Sequence, residues 1–94
     1  MQTPTIGRIV MVKGYSNRGT DEHPAIVNFV YEVEKPNEFG EQAYRIDCTV
    51  FPRGAAPFHV ETIDLVDTRT EAAELLKKGV DHSVEMVAFW PPRV

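Results

Sequence analysis

The sequence predicts a mainly β fold: a small antiparallel five-stranded SH3-like β-barrel or bent sheet, with one short helix before the last strand. Three observations carry this prediction. Residues 44–51, YRIDCTVF, alternate almost without fault. Tyr44, Ile46, Cys48 and Val50 fall on one face and Arg45, Asp47, Thr49 and Phe51 on the other, the period-2 pattern of a strand with one buried face. Four further apolar runs, at 6–12, 25–33, 58–66 and 84–90, are short, rich in β-branched residues and separated by turn formers. Only residues 68–78 carry helix signals.

Taken in order, residues 1–5 form a polar arm, and 6–12, IGRIVMV, the first strand. Arg8, Val10 and Val12 share one face there, and Gly7 marks a bend near its start. Residues 13–23, KGYSNRGTDEH, hold turn formers and no periodic apolar positions, so they are expected to form a long solvated loop. Pro24 opens the second strand, where its missing N–H is tolerated. Ala25, Val27, Phe29, Tyr31 and Val33 then share a face. Pro36, Asn37 and Gly40 turn the chain into the central strand, and Phe39 is placed to pin this connection back onto the barrel.

The fourth strand, 58–66, slips in parity. Phe58 and Val60 are in phase, whereas Ile63 and Leu65 are in phase with His59 and Glu61. A β-bulge at Glu61 and Thr62 restores a common inward face. Thr68 and Glu71 have capping-box spacing, and Ala72, Leu75 and Leu76 make an apolar stripe. Lys77 and Lys78 suit the negative end of the helix dipole, with Gly79 at the C′ position. In the last run, Val84, Met86, Ala88 and Trp90 alternate with Glu85, Val87 and Phe89 until Pro91 and Pro92 end it. An OB-like barrel is the main rival, but its helix usually lies between the third and fourth strands.

The 94 residues suffice for one domain, 1–94, with a modest core. No apolar run approaches the roughly 20 residues needed to span a bilayer, and the first residues lack the pattern of a signal peptide. These features point to the cytoplasm. A net charge of −4 disfavours non-specific binding to nucleic acid. A single cysteine, Cys48, excludes an internal disulfide, and its inward phase marks it as a buried, inert thiol. The three histidines, His23, His59 and His82, match no metal or catalytic motif, so no metal or cofactor is expected. His59 and Glu61, two apart on one strand, have the spacing of an acid–base pair, although such pairs are more often ordinary surface residues. His23, beside Asp21 and Glu22, reads as a solvated loop residue.

The segments GRIV (7–10), PAIV (24–27), TVF (49–51) and WPPR (90–93) resemble a set of small phage- and prophage-encoded proteins. The resemblance spans the strands. It implies a phage or prophage origin, hence host cytoplasm, and carries no catalytic residues with it.

The basic and aromatic residues are the remaining functional pointers. Arg45, Phe51 and Arg53 cluster along the central strand, and Arg93 follows Trp90 on a stiff Pro-Pro spacer. Arginine beside an aromatic ring can hold a phosphate or a nucleobase. The competing reading has Arg45 paired with Asp47 or a cross-strand glutamate, and Trp90 in the core. Phe51, Ile63 and Phe89 share an outward parity suited to self-association. The leading expectation is therefore a non-catalytic binding or assembly module with a protein partner or a second copy. The alternative is a binder of a small anionic ligand, for example a nucleotide, at Arg45, Arg53 and Trp90.

Overall fold

A computed structural model describes residues 2–79 and 85–92. Its elements are β1 (Ile9–Asn17), β2 (Thr20–Val33), β3 (Ala43–Val50), β4 (Phe58–Val66), α1 (Arg69–Gly79) and β5 (Val87–Phe89). The five strands close into a barrel in chain order, with β5 returning to β1. The central strand behaves as its alternation dictates: Ile46, Cys48 and Val50 are fully buried and Tyr44 nearly so. Val10, Val12, Ala25, Val27, Leu65 and Ala88 complete this interior with Trp90.

The sheet is mixed, not purely antiparallel as expected. β1 to β4 form antiparallel neighbours, but β5 runs parallel to β4 while pairing antiparallel with β1. The cause is α1, a crossover that carries the chain back before it re-enters the sheet. The last strand is also shorter than expected. It spans three residues, and Val84 and His82 lie outside the described residues.

The stretch predicted as a long loop, 13–23, is instead a hairpin. β1 continues to Asn17, which pairs with Thr20 across the two-residue turn Arg18-Gly19. Both turn residues have positive φ, 52° and 83°, which matches the right-handed twist of the flanking strands. The ladder shifts between Lys13 and Asn17. Gly14 lies there with φ 121°, and a Cβ on it would run into the Glu85 carbonyl oxygen. His23 is correspondingly not a solvated loop residue; it is 1% exposed.

Two bulges set which side chains face the interior. In β4 the register passes from Cys48–Val60 to Ile46–Ile63, so Glu61 and Thr62 together face Asp47, as the slipped parity demanded. Ile63 consequently packs against the core. In β2 the register passes from Val27–Cys48 to Phe29–Asp47, leaving Asn28 as the extra residue. This second bulge breaks the single face expected for that strand. Val30 now packs inward, while Phe29 and Tyr31 turn out as an edge-to-face pair with centroids 4.9 Å apart. Pro24 lies inside β2 opposite Met11, and its carbonyl accepts the Phe51 N–H at 2.9 Å just past the end of β3. The missing proline N–H falls at the level of Phe51, just past the last β2–β3 ladder pair, Ala25–Val50, so no bond within that ladder is lost.

Thr68 caps α1, its hydroxyl oxygen accepting the Glu71 N–H at 3.2 Å. Ala72, Leu75 and Leu76 pack over Val66, Val87 and Phe89 as a second core outside the barrel wall, joined by Met11 and Phe39. The expected outward trio therefore does not exist. Phe89 is fully buried beneath the helix, Ile63 is drawn inward, and only Phe51 is exposed. Among the described residues no helix is long and apolar enough to cross a membrane.

Candidate functional site

β5 ends at Phe89, the Trp90 N–H bonds the Val66 carbonyl at 3.3 Å, and Pro91 and Pro92 follow without an N–H. The barrel wall is left open between the start of β1 and the start of α1. A groove of about 720 Å³ fills this seam, lined by Arg8 and Ile9 on one side, Asp67, Thr68 and Arg69 on another, and Trp90, Pro91 and Pro92, with Gln2 of the arm.

Each basic group rests against an aromatic ring and has one polar side-chain partner. The Arg8 guanidinium lies 5.5 Å from the Trp90 ring centroid and reaches the Gln2 Oε1 at 3.4 Å. It has no carboxylate partner among the described residues. Arg69 sits over the Phe89 ring at 5.7 Å and donates from Nε to the Glu22 Oε1 at 2.9 Å. Glu22 is itself fixed by Lys13 at 3.1 Å, and Lys13 also meets Asp21 at 3.1 Å. Burial pulls the Lys13 ammonium down, but its hydrogen bonds to Glu22 and Asp21 outweigh this and hold it above its ordinary range. A lysine anchored in this way keeps Glu22 in place, and Glu22 keeps Arg69 at the groove.

Arg69 is already paired with Glu22, so the groove holds one engaged guanidinium and one, Arg8, with no carboxylate partner among the described residues, beside the lining carboxylate Asp67, in a chain of net charge −4. It also borders the first turn of α1, whose unpaired N–H groups favour anions. Trp90 is 7% exposed and part of the core, and its indole N–H has no acceptor among the described residues. With one ring face covered by Arg8, the indole serves as wall and guanidinium support and not as an open stacking platform.

The residues singled out in the sequence are distributed differently. Arg45 pairs with Asp64 at 3.1 Å, a partner other than the Asp47 or glutamate anticipated. It borders a separate hollow of about 170 Å³ with Lys35, Tyr44 and Leu75. Phe51 is 40% exposed beyond the end of β3. Arg53 is clasped through its backbone near the β1–β2 turn: its N–H donates to His23 Nδ1 at 3.1 Å and its carbonyl accepts Asn17 Nδ2 at 2.6 Å. His23 Nε2 donates to the Tyr15 carbonyl at 2.8 Å, so this histidine of β2 ties β1 to the connection that follows β3. Of the proposed set only Trp90 lines the groove; Arg45, Phe51 and Arg53 do not, and Arg93 lies outside the described residues.

Arg8 and Arg69 were missed. Arg8 sat in what read as a strand, and Arg69 in what read as a helix start. One signal was available for Arg69: a cation in the first turn opposes the helix dipole and calls for a local reason. His59 and Glu61 approach to 3.5 Å but are both well exposed. Among the described residues no three His, Cys, Asp or Glu side chains converge on one point. No protein-family model, curated protein or solved structure matches the chain.

Proposed function

We propose that this chain is a non-catalytic binding module of the small SH3-like barrel kind, and that it takes an oxyanion-bearing partner in the seam groove. The convergence of Arg8 and Arg69 on one concavity with Trp90 carries this reading. Guanidinium groups present parallel N–H donors that fit a carboxylate or phosphate two at a time. Holding each guanidinium against an aromatic ring before binding lowers the ordering cost of that contact. The strand order, with each strand beside its chain neighbour and the helix between the fourth and fifth, favours the SH3-like reading over the OB-like one. A phage or prophage setting for such a module rests on the strand motifs alone.

A nucleotide stacked on Trp90 fits less well, because Arg8 already covers the ring. Assembly through an outward Phe51, Ile63 and Phe89 surface has lost its geometric support, since two of the three pack inward.

Trp90 is the sole tryptophan, so its emission reports on the groove. Titration with citrate and with inorganic phosphate should give a saturable change that Arg8→Gln and Arg69→Gln each weaken. No change, or the same change in both variants at unaltered thermal midpoints, contradicts the proposal.

A further inference from the structure

We infer that the occupant of the groove is an extended acidic peptide segment that pairs with the open edge of β1 at Ile9; this rests on the anion-binding reading above. In the β1–β5 ladder Met11 faces Phe89 and Lys13 faces Val87, so Ile9 falls opposite Pro91. Pro91 has no N–H to offer, and β5 has already ended. Residues of a strand bond alternately to its two neighbours. The Arg8 carbonyl accepts the Val27 N–H of β2 at 2.9 Å, so the N–H and C=O of Ile9 point to the β5 side. Among the described residues neither group has a backbone partner there.

A strand edge that is unpaired among the described residues and opens into a groove is the setting for strand addition. The adjoining surface is apolar: Ile9 is 50% exposed, and Trp90, Pro91 and Pro92 complete the wall. Alternate side chains of an extended peptide would cover this wall, and those between would reach Arg8 and Arg69. Asp67 on the same groove disfavours an occupant that is anionic along its whole length. The net charge of −4 does the same for long polyanions. A short segment alternating acidic and apolar positions satisfies the edge, the apolar wall and the guanidiniums together.

The test uses the full chain and a mixed pool of capped pentapeptides, with glutamate at alternate positions and valine, leucine or phenylalanine between. Comparison probes are the same pool with glutamine for glutamate, the same pool N-methylated at alternate backbone amides, and citrate. Trp90 emission and calorimetry should show the acidic pool binding at least about tenfold tighter than either altered pool. Arg8→Gln and Arg69→Gln should each weaken it while keeping the native thermal midpoint. If the N-methylated pool binds as well as the parent, or citrate binds as tightly as the peptides, the strand-addition inference is overturned and anion binding stands. If the glutamine pool binds equally well, the acidic requirement is overturned. If no probe binds, citrate included, both readings fall.

Discussion

The Asp47 carboxylate accepts the backbone N–H of Thr62 at 2.8 Å, at the point where the β4 bulge forces Thr62 to a φ of 54°. Its other oxygen accepts the Tyr31 hydroxyl at 2.9 Å, so one side chain of β3 ties the β4 bulge to the outer face of β2. A left-handed conformation is costly for a β-branched residue, about 1–3 kcal/mol. Asp47 supplies the partner that the irregular ladder withholds.

Thr62→Gly should therefore be neutral or stabilising. Relief of that strain exceeds the roughly 0.5–1 kcal/mol that glycine costs in a strand. Thr49→Gly, on the regular part of β3, should destabilise. Asp47→Ala should cost about 0.5–1.5 kcal/mol through loss of its hydrogen bonds to the Thr62 N–H and the Tyr31 hydroxyl. Urea midpoints of the three variants check this. A loss at Thr62→Gly as large as at Thr49→Gly would show that the bulge is not strained.

Glu71 gives the fold a pH dependence. Burial, and then the neighbouring Glu41 carboxylate, raise its pKa above the ordinary 4.5, despite the hydroxyl of Thr68 and the helix dipole. Its Oε2 is buried without a donor among the described residues. The native state thus holds the proton more tightly than the unfolded chain. The resulting stability is fully present below pH 4.5 and is lost as the pH rises through the native pKa. Glu71→Gln keeps an acceptor for Thr68 and removes the charge. Its thermal midpoint should exceed that of the parent at pH 7, with the gap closing toward pH 4. A parent more stable than the variant at pH 7 would mean that the helix dipole outweighs burial and the Glu41 charge.

Cys48 is fully buried, and burial, aided by the Asp47 charge, pushes its thiol up to about 11. Thiol reagents should label the native protein no faster than it unfolds, and Cys48→Ala should cost about 1 kcal/mol through a small cavity. Labelling within seconds at neutral pH would contradict this placement.

The barrel was legible where a strand kept its own alternation throughout. β3 does so, and its four inward residues were identified from alternation alone. The β4 bulge was legible too, because a slipped parity has only one local remedy. The β2 bulge was not: Ala25, Val27, Phe29, Tyr31 and Val33 alternate perfectly, and only the partner strand reveals the extra Asn28. The β1–β2 hairpin was hidden because polar residues such as Lys13 and Asp21 pair on the outer surface, where no hydrophobic pattern marks a strand. Phe89 misled for a related reason. Its parity is outward from the barrel, but the helix makes that side a second interior. The groove was least legible. Arg8, Arg69 and Trp90 are far apart in sequence and meet only because β5 closes the barrel for three residues and then leaves it.

The most direct test of the groove as the binding site is a backbone and indole chemical-shift map during titration with citrate. The perturbed signals should be the amides of Arg8, Ile9, Thr68 and Arg69 and the Trp90 indole N–H, moving together along one saturable curve. Perturbation centred on Arg45, Phe51 and Arg53 instead, or none anywhere at saturating citrate, would contradict it.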